Sequence, residues 1–397
     1  MLSFLVNALT LYDGRTMTLI ALQFFSEGAM FMICLTATIM FSSHFFISPQ
    51  KATLWLALIC LPEGLIFVYG MISDTVTIFD SPRRFYITFM SLVQLATATV
   101  LARTHWLATP QLELEFALLV SICVLSRAWL TPVIESLMII QMKKDPDYGA
   151  DDLETFGLLM TAFGTIFYCV LGGELIKLNE STPQVFFWLL VLTGGVTFLA
   201  GLWYPTESDE IDARFAAMST AKRFKEKTHL FAEAVSLPEI RNILLFLAIT
   251  ALLAPNLEEF LIYYNESMGV TPLFEGWAMV VLFLTGALIF LVYNNSVASK
   301  SEVHTTQVFA ILFRVFSALL FAYDVAGKYS PKKTLMIQAV AIRSVVDAFL
   351  YLPCLILFSK MVPHHIEGMM IGFVWSLIKL NSDVFGRLIT VGLNIKF

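Results

Sequence analysis

The residues able to do chemistry in this chain are charged side chains standing inside otherwise oily segments. Glu27, Glu63, Arg127, Glu135, Glu174, Glu258, Glu259, Arg314, Arg343, Asp347, Lys379, Asp383 and Arg387 all fall in runs apolar enough to sit in a bilayer. Such a charge costs about 2.5–3.5 kcal/mol at the bilayer centre on insertion scales, so it should face protein or a water-filled cavity. Helical spacing groups several of them. Arg343 and Asp347 stand one turn apart; Arg127, Thr131 and Glu135 share one helix face, and so do Lys379, Asp383 and Arg387. Two uses follow. In one, Arg127 and Arg343 bind an anionic, aromatic-tolerant solute in a cavity while Glu27, Glu135 or Asp347 takes up and releases a proton. In the other, the same groups pair among themselves and lock helices together. The residue pattern admits both.

Other chemistry finds little to work with. His364 and His365 stand beside Glu367 without the further ligands a metal would need. Cys34, Cys60, Cys123, Cys169 and Cys354 all lie in apolar runs, with no CxxC pair, and read as small buried hydrophobes. The chain has no Walker loop and no nucleophile–histidine–acid set, so neither an enzyme nor a cofactor is expected. The net charge is −6 without a basic patch, which leaves nucleic acid out as a partner.

The elements that must hold these charges are membrane helices. Of the 397 residues, 58% are hydrophobic and 14% charged, Phe alone supplies 35, and the mean hydropathy is +0.77. A soluble domain carries about 25% charged residues. Windows of spanning length fall near 17–41, 52–73, 85–102, 115–140, 154–178, 185–204, 241–264, 273–295, 305–326, 333–359 and 368–393. An all-α integral membrane protein with about eleven spans is therefore expected, in contact with lipid. One long polar segment, 205–239, has apolar residues at three- and four-residue steps and reads as an amphipathic surface helix. It divides the chain into a six-helix bundle (1–204) and a five-helix bundle (240–397). Basic residues gather at one end, in Arg15, Arg83, Arg84, Lys143, Lys144, Lys300, Lys360 and the linker, which predicts an amino terminus on the cytosol-equivalent side. The first residues lack the basic region and cleavage site of a secretory signal. Pro62-Glu63-Gly64 predicts a kink in the second span.

A compact charged turn, "YGMISDTVTIFDSPRRFY" (69–86), joins the second and third spans. Its acid Asp74 ends one helix, and Arg83 and Arg84 begin the next, so they are placed to pair across the inner mouth, while Gly70 lets backbones approach. Six helices, an inner linker and a second helix set are similar to the major facilitator superfamily, whose corresponding loop carries a Gly–Asp–Arg gating motif. Tyr69-Gly70, Asp74, Ile78-Phe79, Arg83-Arg84 and Tyr86 resemble the variant of the folate-biopterin transporter family. Three further stretches agree in order: "DDLETFGLLMTAFGTIFYCVLGGELI" (151–176), "APNLEEFLIYYNESMGVTPLFEG" (254–276) and "VPHHIEGMMIGFVWSLIKLNSDVFGRL" (362–388). The resemblance implies a two-bundle carrier whose helices 1, 4, 7 and 10 line a central cavity. It also implies a folate- or pteridine-like solute moved by alternating access.

The departures are specific. Ile66 and Phe67 stand where the family has Lys-Pro, and Thr77 and Asp80 replace a proline and a glycine of the loop. Thr131, Glu135 and Gln141 stand where its fourth helix has two aspartates and a glutamate. The chain stops after the eleventh helix, where the family has a twelfth. These changes raise a second expectation, a transporter-derived structural subunit of a larger membrane complex. In that case Lys379, Asp383 and Arg387 would meet a partner subunit.

Overall fold

Proline, glycine and capping residues set the helix boundaries. The computed structural model describes residues 11–78, 83–104, 112–178, 183–204, 218–253, 269–270, 272–294, 303–327, 333 and 344–388. Arg343, Glu258, Glu259, Asp80 and most of the stretch 254–276 lie outside them, as do the side chains of Asp347 and Asp383.

The first span opens at Asp13, whose carboxylate accepts from the Thr16 amide at 3.0 Å. It runs as α1 (Gly14–Glu27), bends at Gly28 and continues as α2 (Met30–Ile39). The second starts after Ser48 with Pro49 in the first turn, where a missing N–H costs nothing. It breaks into α3 (Pro49–Gly64) and α4 (Ile66–Thr75). Pro62 has no N–H for the Leu58 carbonyl, and the Ser121 hydroxyl of the fourth span donates to that carbonyl at 3.4 Å instead. The predicted kink is this break. Next come α5 (Arg84–Arg103), α6 (Glu113–Met142), α7 (Gly149–Leu178) and α8 (Phe187–Trp203). Six helices among the described residues are long and apolar enough to cross a membrane, from Gly14–Ser42 to Gln184–Trp203.

Within the predicted linker lies α9 (Thr220–Ser236), which buries Arg223, Lys227 and Ala234. Beyond it come α10 (Pro238–Leu253), α11 (Pro272–Val292), α12 (Val303–Gly327), α13 (Leu352–Met361) and α14 (Glu367–Lys379). Apolar side chains such as Leu199, Leu288, Leu312 and Leu319 are 64% exposed, which is the surface a lipid-facing helix needs.

Two seams join the halves. α7 lies along α11, and α4 lies along α14. The second seam is close because it is built on glycines: a Cβ at Gly70 would land on the Gly368 carbonyl, and one at Gly372 would sit 2.9 Å from the Ile66 carbonyl. α1 crosses α7 in the same manner, Gly28 against the Thr165 amide and Gly164 against the Phe25 carbonyl.

Candidate functional site: an intramembrane charge cluster and the linker-end closure

Two stripes of polar residues face each other inside the amino-terminal bundle. Gln23 and Glu27 stand one turn apart on α1, and Arg127 and Thr131 one turn apart on α6. Arg127 Nη2 meets Glu27 Oε2 at 3.3 Å, and the Thr131 hydroxyl donates to Glu27 Oε1 at 2.9 Å. Gln23 Nε2 donates to Glu27 Oε1 at 2.8 Å and reaches Thr131 at 3.2 Å. The Arg127 side chain is 1% exposed, whereas that of Glu27 is 20% exposed. The carboxylate is thus the accessible member, and the guanidinium stands behind it. Arg127 Nε has no hydrogen-bond partner among the described residues.

Glu135, on the same α6 face, does not join this cluster. Its Oε2 accepts from the Trp375 indole N–H at 2.6 Å, so it bonds across to α14. Arg343 lies outside the described residues, and nothing is placed for the side chain of Asp347. Lys379 of the expected partner-facing stripe meets Glu63 Oε2 of α3 at 3.2 Å. Arg387 is 3% exposed, and its Nη2 lies 3.5 Å from Cys34 Sγ. These two side chains have partners inside the protein, on its first two spans. Packing on the Pro62–Gly64 break decides this, and helical spacing alone does not report it.

Residues 69–78 and 83–86 of the charged turn sit at the end that carries α9, here called the linker end. The predicted pairing of Asp74 with Arg83 and Arg84 takes another form. Asp74 Oδ2 accepts from the Met369 backbone N–H at 2.7 Å, which ties α4 to the start of α14. Arg83 Nε donates to the Ser136 hydroxyl at 2.9 Å, with its charge still acting on Asp74. Arg84 Nη2 donates to the Leu202 carbonyl at 3.0 Å, at the end of α8. Further bonds join the two halves here. Lys143 Nζ meets Glu367 Oε1 at 2.9 Å, Lys360 Nζ meets Asp151 Oδ2 at 2.9 Å, and the Ser359 hydroxyl donates to Glu154 Oε1 at 2.7 Å.

α9 adds a strap. Lys227 Nζ donates to the Asp74 carbonyl at 2.6 Å and Arg223 Nη1 to the Thr77 hydroxyl at 3.0 Å, both beside the carbonyl end of α4, where a helix dipole favours cations. Burial holds the Lys227 ammonium below the usual lysine pKa, with the nearby Asp74 charge opposing that shift. Phe231 packs on Phe67 of α4 and Phe373 of α14, with ring centroids 5.2 and 5.4 Å away.

Sequence reasoning missed Gln23, Glu154, Ser359, Trp375, Lys227 and the Lys143–Glu367 pair as members of these groups. Glu154 and Glu367 lie in stretches that carried the family resemblance, and Gln23 stands one turn from Glu27. A neutral partner such as Ser359 or Trp375 leaves no charge pattern to find.

The arrangement of paired seams, intramembrane charges and a closed linker end defines a class. This is a multi-pass membrane transporter of major facilitator architecture, surrounded by lipid and built for a small solute. Its fold is similar to that of the human organic anion transporter MFSD10, with a TM-score of 0.68, 17% identity and coverage of 96% of this chain and 94% of the other. It is also similar to the inward-open xylose transporter XylE from E. coli, at 0.66, 11% identity and coverage of 94% and 88%. A point mutant of the nucleoside transporter NupG matches at 0.62, 12% identity and coverage of 96% and 91%. No curated protein matches in sequence. Residues 27–394 match the BT1 family, and the chain belongs to that family. The resemblance drawn from its motifs is thereby borne out.

Proposed function

We propose that this protein is a secondary transporter that moves a small anionic or polar organic solute, of folate- or pteridine-like chemistry, by alternating access coupled to protons. The observation that carries the reading is the set of cross-bundle bonds at the linker end. Asp74 with the Met369 amide, Lys143 with Glu367 and Lys360 with Asp151 all join elements from opposite halves of the chain. Bonds of this kind form when one mouth closes and break when the halves rock apart, as alternating access requires.

The Glu27–Arg127 pair supplies the interior chemistry. An incoming carboxylate would compete with Glu27 for the guanidinium, and protonation of Glu27 would release that guanidinium for the solute. Glu135 holds the halves together through Trp375. Arg343 and Asp347 remain candidates on sequence spacing alone. The linker end faces the cytosol-equivalent side in this reading, because its loops carry the larger share of basic residues. A role as a structural subunit loses support at Lys379 and Arg387, which have partners inside the chain.

The test is uptake of radiolabelled folic acid and biopterin into proteoliposomes, with and without an inward proton gradient. Saturable, gradient-driven uptake that Arg127→Ala and Glu27→Gln abolish is the expected result. No uptake of either probe by well-folded protein would remove the folate-like assignment. Uptake indifferent to the gradient would remove the proton coupling.

A further inference from the structure

Two of the five free cysteines meet where the first two spans pack on one another. Cys34 stands on α2 and Cys60 on α3, 26 residues later, with their sulfurs 3.9 Å apart in direct contact. Cys123, Cys169 and Cys354 stand on α6, α7 and α13. Helical spacing could not bring Cys34 and Cys60 together, because they belong to separate spans. Packing alone would be satisfied by any two small apolar side chains there. The surroundings of this pair offer more than packing.

The setting is electropositive. Arg387 Nη2 lies 3.5 Å from Cys34 Sγ, and the same charge acts on Cys60. Glu63, one turn on from Cys60, opposes it there, and Lys379 holds that carboxylate at 3.2 Å. Reactive cysteines stand beside arginine or lysine because the attacking species is the negatively charged sulfur. Access differs between the two. Cys34 is 9% exposed and Cys60 is 0% exposed, so a small reagent meets Cys34 first. A disulfide holds its sulfurs at about 2.05 Å, so this pair must close by about 1.9 Å. Cys60 stands two residues before Pro62, where the hydrogen-bond ladder of its helix is already interrupted and the backbone can yield.

We propose that Cys34 and Cys60 form a redox site: a peroxide oxidises Cys34 to the sulfenic acid, and Cys60 resolves it to a disulfide that ties the first span to the second. Cys34 gives up its proton, and its sulfur attacks one oxygen of hydrogen peroxide. An S–O bond forms and the O–O bond breaks, leaving the sulfenic acid and hydroxide. That hydroxide takes the Cys60 proton and becomes water. The Cys60 sulfur then attacks the Cys34 sulfur; the S–S bond forms, the S–O bond breaks, and the departing hydroxide takes up the proton that Cys34 released. The two sulfurs give two electrons to the peroxide, and two waters leave. A small thiol reverses the step by exchange. Oxidation also draws Cys34 Sγ away from Arg387, so it alters a contact between the first span and the carboxy-terminal half.

This site does not rest on the transport reading, and its test uses no solute. The probe is hydrogen peroxide, applied to the full chain in phosphatidylcholine vesicles. Denaturation, alkylation of the remaining thiols and peptide mass spectrometry follow. Expected is a peptide pair joined through Cys34 and Cys60, with both thiols lost together from the five and restored by dithiothreitol. Cys60→Ser should leave Cys34 as a sulfenic acid that dimedone traps, and Cys34→Ser should leave Cys60 a free thiol at the same dose. The wild-type result stands by itself if either variant folds poorly. Cys34 and Cys60 both unreacted while methionines of the same chain are oxidised would overturn the proposal. So would a disulfide that joins any other pair, or dimedone trapped on Cys60 instead of Cys34.

Discussion

Adding one methyl group at Gly70 should hold the linker-end mouth open. A Cβ there would lie on the Gly368 carbonyl oxygen and 2.7 Å from its carbon, and both atoms are backbone of α14. Carbon contacts are comfortable at about 3.5–4.0 Å, so the two helices must part by about 1 Å. The Asp74–Met369 bond at 2.7 Å bridges the same crossing. Stretched by about 1 Å, it passes about 3.6 Å, the separation at which a contact is no longer a hydrogen bond. Overpacking costs about 1–3 kcal/mol, and a hydrogen bond to a charged group about 1.5–3 kcal/mol. The closed state should therefore lose about 2.5 kcal/mol or more, on the order of 50-fold in its population relative to the open state. The assay is maleimide labelling of a Ser359→Cys reporter, since Ser359 is 2% exposed in the closed mouth. Gly70→Ala should speed labelling by a comparable factor. A rate within about twofold of the reporter alone would refute the reasoning, because the crossing would then tolerate a side chain that this packing does not.

Glu27→Gln should lower thermal stability more than Arg127→Ala, because it leaves unpaired a guanidinium that is 1% exposed, whereas Arg127→Ala leaves a carboxylate that is 20% exposed. Losing one partner of a buried pair costs about 3–5 kcal/mol, and the exposure of the Glu27 side chain puts the effect of Arg127→Ala near or below the lower end. The double variant should be milder than the sum of the two, and simple additivity in a thermal-shift cycle would count against the pairing. Lys227 binds its proton less tightly in the docked α9 than in a released one, so docking should strengthen as pH rises toward the ordinary lysine value of about 10.4. Proteolysis within 218–236 should slow accordingly, and Lys227→Met should remove that slope; a wild type with no slope would refute it. Gly164→Val should destabilise the α1–α7 crossing, since its Cβ would meet the Phe25 carbonyl. Unchanged melting of that variant would show that the crossing has room to spare.

Membrane residence, all-helical architecture and the number of early spans were legible in composition and in runs of spanning length, because a bilayer punishes polar backbone and charge regardless of tertiary detail. The amphipathic nature of Thr220–Ser236 was legible for the same reason: apolar residues at helical spacing require a surface to cover. Motif order in 69–86, 151–176, 254–276 and 362–388 carried the family. Helical spacing also placed Arg127 and Thr131 on one face, but only packing brought Glu27 and Gln23 from α1 onto them. Glu135 shares that spacing and yet turns to Trp375, because α14 lies against α6 at that depth. Lys379 and Arg387 read as a stripe in want of cover, and the break after Pro62 gave Lys379 its partner in Glu63. Asp74 ended up bonded to a backbone amide, which no side-chain pattern encodes. Spacing along a helix says which residues share a face; which neighbour that face meets is set by backbone approach at glycines such as Gly70 and Gly368, and that is a property of two helices together.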